Sequence, residues 1–286
     1  MIGGIVSFSS MGVAGRELAG ELDTFEIMFF RSLAGVVIVT TLAAAFGRLN
    51  EIRARRLGLH LARNLFHFSG QNLWFYAVAV IPLAQVFALE FTSPLWVTLF
   101  APFLLGERLT RLRLLSVAMG FLGVVVVVRP DFATIELGVM TAAASAIGFG
   151  GSIVLTKLLT RTETITCILF WLTVMQSVMG LIATGWDGEI ALPSRTAMPW
   201  VLLVAVAGLT AHFCLTKALT LASAVIVVPM DFVRLPAIAV LGWILYGETL
   251  DIFVLLGALV IFGANYLNIW VETKTAGKNR ARSHPL

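Results

Sequence analysis

Four ionisable side chains stand inside long apolar stretches of this sequence: Arg31, Glu90, Asp231 and Arg234. Placing such a group in lipid costs at least about 2.5–3.5 kcal/mol, so it marks a place where charge is used. Two acids and two bases cancel in formal charge, and two roles fit them. Either they fasten helices together as ion pairs, or they receive a charged solute and exchange a proton. Asp231 and Arg234 are three residues apart and share a helix face. Arg31 and Glu90 each lie roughly five or six residues inside an apolar stretch, a similar depth at about 1.5 Å per residue. The spacing predicts two clusters: Arg31 with Glu90 toward one membrane face, and Asp231 with Arg234 toward the other.

A polar stripe adds to these. Asn64, His67, Gln71 and Phe75 recur at helical spacing, with Asn72 and Tyr76 alongside. His212 sits in another apolar stretch, with Gly208 and Thr216 on its face. A histidine there is either satisfied by a hydrogen bond or, opposite a carboxylate, placed to relay a proton. Trp74, Trp96, Phe91 and Phe232 offer flat faces that stack on a ring-shaped solute or pack against neighbours. No phosphate-cradling loop, zinc-protease motif or other cofactor signature is present, so neither ATP hydrolysis nor a cofactor is expected. His60, His67, His212 and His284 are too scattered along the chain for a metal site. Cys167 and Cys214 both fall in apolar runs and read as small buried hydrophobes.

The elements that must hold these groups follow from composition. Hydrophobic residues make up 59% of the 286 and charged residues 13%, against the ~45–50% and ~25% of soluble domains. Such a chain cannot cover a soluble surface with polar groups, and nucleic-acid binding or a secreted disulfide scaffold is excluded with it. Its partners are the lipid bilayer and a small-molecule solute, and its oligomeric state stays open. Runs of about 20 apolar residues, the length of a membrane helix, occur at 1–19, 26–46, 62–80, 84–105, 112–128, 135–156, 165–184, 198–217, 224–246 and 252–270. The first is short. Without basic residues ahead of it, and with Val13-Ala14-Gly15 a poor cleavage site, it reads as a short span rather than a leader.

Ten spans place 15 of the 20 Lys and Arg residues on one side, including Arg48, Arg53, Arg55, Arg56 and Arg63. Arg16, Arg129 and Arg195 fall on the other side, and Arg31 and Arg234 lie inside spans. By the positive-inside rule both termini are cytoplasmic.

Shifting the chain by 141 residues aligns its halves without a gap. Arg16 falls on Lys157, Gln71 on His212, Glu90-Phe91 on Asp231-Phe232, and Gly106-Glu107 on Gly247-Glu248. Each half holds five spans. Five is odd, so the halves enter the membrane in opposite directions, the architecture of an alternating-access transporter. The expected fold is an all-α polytopic membrane protein of two inverted five-helix repeats, 1–129 and 130–270, followed by a basic cytoplasmic tail, 271–286. Both Gly-Glu pairs read as turn devices, glycine ending one helix and glutamate beginning the next. Ala144, Gly148, Ser152 and Thr156 form a small-residue seam for close helix packing.

Phe30-Arg31, Pro94-Leu95-Trp96, Leu105-Gly106-Glu107-Arg108-Leu109 and Tyr246-Gly247-Glu248-Thr249-Leu250 resemble the drug/metabolite transporter superfamily, EamA type, over residues 1–270. The resemblance implies a bacterial inner-membrane carrier of a small organic metabolite, with riboflavin-like, S-adenosylmethionine-like and amino-acid-like solutes as candidates. Proton coupling through Glu90 or Asp231 is the expected mechanism. A facilitator, exchanger or exporter of the same fold is the second reading, and a membrane-embedded enzyme or a structural subunit the third.

Overall fold

Apolar runs in lipid leave backbone N–H and C=O groups no partners but one another. The computed structural model describes residues 2–106, 110–128, 136–186, 190–222, 224–227, 231, 234–249 and 251–283, and the described parts of these runs are predominantly α-helical. Among them are α1 (Ile2–Leu18), α2 (Thr24–Ala45), α3 (Leu57–Val80), α4 (Leu83–Glu90), α5 (Ser93–Leu105) and α6 (Arg111–Val128). The second half holds α7 (Leu137–Leu159), α8 (Ile165–Thr184), α9 (Met198–Leu221), α10 (Ala224–Val227), α11 (Arg234–Tyr246) and α12 (Ile252–Ser283). These helices make ten spans, because α4 with α5 and α10 with α11 are each one interrupted span. Five spans are long and apolar enough to cross a membrane on those grounds alone. Among the others, α3 carries the polar stripe.

The interruption in the first half has a visible cause. Pro94 has no N–H to give the carbonyl four residues back, so Glu90 O loses its helical donor. The Ser93 hydroxyl donates to that oxygen instead, at 2.5 Å, and Thr92 Oγ1 donates to Leu89 O at 2.8 Å. Asn265 of α12 donates to Phe91 O at 3.3 Å. In the second half α10 ends at Val227 and α11 begins at Arg234, with Asp231 described between them. The sequence reading treats 84–105 and 224–246 as continuous; the structure divides both at the acidic residue. It also starts α3 at Leu57 rather than 62 and carries α12 beyond 270.

The most extensive helix pairs are α3 with α7, α6 with α12, α2 with α8, and α1 with α9. Under the 141-residue offset α1 becomes α7 and α3 becomes α9, so the α1/α9 pair exchanges with α7/α3. The α2/α8 and α6/α12 pairs map onto themselves. The packing thus has the twofold relation of an inverted repeat. Close approach sets the α3/α7 pair. A Cβ built on Gly148 would stand 2.7 Å from Gly70 Cα and 2.7 Å from Phe66 O, so only glycine fits there. Gly106 and Gly247 end α5 and the α11 turn at φ 72° and 64°, the left-handed conformation that favours glycine.

Candidate functional site: a charged cavity between the two halves

The two interrupted spans meet at their breaks, α4 against α11. Glu90 is the last residue of α4, Arg234 opens α11, and Asp231 lies just ahead of it. Arg234 Nη2 reaches Glu90 Oε1 at 2.6 Å and Asp231 Oδ2 at 2.7 Å. Trp74 Nε1 of α3 donates to Glu90 Oε2 at 2.8 Å. The guanidinium is 1% exposed and lies over the rings of Phe87, Phe8 and Phe91, 4.7, 4.9 and 5.5 Å from their centroids. Its cation is therefore held by two carboxylates on one nitrogen and by three aromatic faces. Three of the four expected charges form one cluster, and the predicted pairing of Arg31 with Glu90 is corrected. Arg31 points away toward α9, where a Cβ on Gly208 would stand 3.4 Å from its Nη1.

A cavity, open on one side, lies beside this cluster. Both halves line it: Met11, Arg63, His67, Gln71, Trp74 and Glu90 from the first, and Phe149, Ser152, Thr156, His212, Asp231 and Arg234 from the second. His67 and His212 meet edge-on with ring centroids 4.6 Å apart. The histidines are thus less scattered than their sequence positions suggest. His60 in turn groups with Glu163 and Cys167, their ligand atoms within 4.8 Å of one another.

Besides Arg31, two of the predicted residues lie off this cavity. Trp96 sits edge-on to Phe121 at 5.3 Å and near Phe100 at 6.2 Å. Asn72 is buried and donates to Phe68 O of its own helix at 2.8 Å. Phe232 lies outside the described residues. Arg63, counted in the sequence as a loop cation, is a buried residue of α3 that donates to Thr156 Oγ1 at 3.1 Å and Asn64 Oδ1 at 3.0 Å. Its spacing four residues before His67 continues the polar stripe by one turn, and that was the signal available.

At the membrane face where α1 ends, Arg16 donates to the carbonyls of Val78 and Ile81 and pairs with Glu248 Oε1 at 2.8 Å. Glu248 Oε2 also accepts from Leu83 N at 2.9 Å. This glutamate lies ahead of α12 and joins the halves, so its role exceeds the turn expected of it; Glu107 lies outside the described residues. At the opposite face Lys157 donates to Leu219 O at 2.6 Å and Ala222 O at 2.9 Å. These three residues are Arg16, Val78 and Ile81 displaced by 141 positions, so the same fastening recurs on both faces.

Comparison with known proteins agrees with this geometry. The EamA-like transporter family model matches twice, over residues 1–129 and 136–270. The riboflavin transporter of Brucella anthropi is 30% identical over 98% of this chain and 99% of that protein. The S-adenosylmethionine uptake transporter of Rickettsia bellii is 24% identical over 96% and 93%. The pseudopaline exporter of Pseudomonas aeruginosa is 29% identical over 89% of each. A solved crystal structure with 17% identity superposes at a TM-score of 0.68 over 96% of both chains and shares the fold. The multi-pass helical architecture, the charged cavity between its halves and this likeness make the chain a membrane transporter of small molecules, not an enzyme, and it belongs to the EamA-like transporter family.

Proposed function

We propose that the protein carries a small organic metabolite across the inner membrane by alternating access, driven by protons through Glu90 and Asp231. One observation carries the reading: the cavity lies between the halves, with one carboxylate at the break of each interrupted span. Interrupted helices at the midplane of inverted repeats are where secondary transporters bind cargo and coupling ions. Residues 1–129 and 130–270 are the two moving halves in this reading. Residues 271–286 form a basic cytoplasmic tail, and both termini are cytoplasmic. The charge asymmetry of the loops supports that orientation. Riboflavin-like, S-adenosylmethionine-like and amino-acid-like solutes are the cargo candidates, as the named relatives suggest.

The test is uptake of labelled riboflavin, S-adenosylmethionine and amino acids into proteoliposomes with and without an imposed pH gradient. The expected result is uptake of one of these that the gradient accelerates, with the acceleration lost in Glu90→Gln or Asp231→Asn at normal protein yield. Uptake indifferent to the gradient would establish a facilitator or exchanger instead. That second reading has one observation in its favour: Arg234 already bonds both acids, so cargo can cross without a net proton.

A further inference from the structure

Apart from Arg234, the cavity lining carries basic groups without counter-ions among the described residues. Arg63 is 2% exposed, and its hydrogen bonds go to two neutral acceptors, Thr156 and Asn64. His67 Nε2 and both ring nitrogens of His212 are buried with no hydrogen-bond partner. Behind His212, in a small side pocket lined also by Ser32, Thr173 and Gly208, lies Arg31. It is 6% exposed, and its Nη1 has no partner. His212 thus lines both the main cavity, with Arg63 and His67, and the side pocket, with Arg31. Among the described residues no carboxylate pairs with either arginine, since Glu90 and Asp231 are both held by Arg234.

A buried cation without a counter-ion is costly, and so is a buried donor left unmade. Three such groups, Arg63, His67 and His212, line the cavity, and Arg31 lies behind His212. The missing partner has to be an acceptor with negative charge and several oxygens, because a guanidinium fork and imidazole N–H groups donate in different directions. We infer that Arg63, His67 and His212, backed by Arg31, form the receiving site for an oxyanion group of the cargo, a carboxylate or a phosphate. The cargo then spans the cavity, its oxyanion on these basic groups and the rest of the molecule against Trp74 and the acidic cluster.

This inference rests on the transport reading, and melting of the full chain in detergent at fixed ionic strength tests it. The probes are sodium phosphate and sodium benzoate against chloride, flavin mononucleotide against riboflavin, and S-adenosylmethionine against its methyl ester. The expected result is that an oxyanion probe raises the melting temperature where its partner lacking that group does not. The phosphate and carboxylate members tell which group the site takes. Arg63→Gln and His212→Asn should weaken that binding at least tenfold. Arg31→Met should also lose it, and should melt higher than the parent when empty, because an unpartnered buried cation is gone; this readout keeps the test alive if Arg63→Gln fails to fold. The inference is overturned if no oxyanion probe raises the melting temperature, or if the members lacking the oxyanion stabilise equally. A rise that survives in both arginine variants, or Arg31→Met melting lower when empty, as a structural arginine would give, overturns it too. Undiminished uptake of an oxyanion-bearing solute in Arg31→Met would remove the subsite while leaving transport standing.

Discussion

Arg234 holds two carboxylates through a single nitrogen, while its Nε and Nη1 rest among phenylalanine rings with no hydrogen-bond partner. Removing it leaves Glu90 and Asp231 facing each other without a cation. Loss of one partner from a buried pair costs about 3–5 kcal/mol. Arg234→Met should therefore abolish stable protein, seen as loss of the monodisperse peak in detergent. Glu90→Gln leaves Asp231 on the arginine, so that variant should be recovered at near-normal yield and differ in transport rather than folding. The presence of all four intramembrane charges was legible from composition alone, because lipid penalises each of them. Their pairing was not, since depth along the chain says nothing of lateral reach: Arg31 turns to α9, and Arg234 crosses to Glu90, 144 positions away. Arg63 was obscured differently. Counting cations by loop assigned it to topology, although its spacing from His67 placed it on the polar face of α3.

Two helices that touch through glycine cannot accept a side chain without moving apart. A methyl on Gly148 would press on the backbone of α3 at Gly70 and Phe66. Overpacking of this kind costs about 1–3 kcal/mol. Gly148→Ala should lower the thermal midpoint in detergent, whereas alanine at Gly263, where a Cβ meets nothing within 4 Å, should leave it unchanged. The seam at Ala144, Gly148, Ser152 and Thr156 was readable because small residues every four positions have few other uses in a membrane helix. Its second use was not: Ser152 and Thr156 line the cavity, and Thr156 accepts from Arg63. The division of the interrupted spans was written in Pro94 and Pro236, but proline is common in membrane helices. Only the arrangement of neighbours, such as Asn265 on Phe91 O, shows where the freed carbonyls find donors.

At the scale of the whole molecule the inverted repeat was visible in the 141-residue offset, because polar coincidences stand out against an apolar background. What the offset could not convey is that equivalent residues now do unequal work. Ser93 and Arg234 occupy corresponding positions, and so do Gln71 and His212. The cavity walls therefore differ in chemistry although the backbone folds alike. The same holds at the two faces, where Arg16 and Lys157 make corresponding backbone bonds with different head groups. A planar guanidinium that grips two carbonyls and Glu248 together is a stronger clasp than a flexible ammonium. Both clasps are closed in this structure. Under the proposed alternating access the firmer arginine clasp is expected to open less readily, so that the resting population leans toward the forms in which the arginine is engaged. With Cys167 and Cys214 replaced by serine, a cysteine at the cavity position Met11 reports that lean through its rate of capture by an impermeant maleimide added at the Arg16 face. Arg16→Lys should quicken capture and Arg16→Ala quicken it further. Equal rates in all three would mean that this clasp does not set the poise.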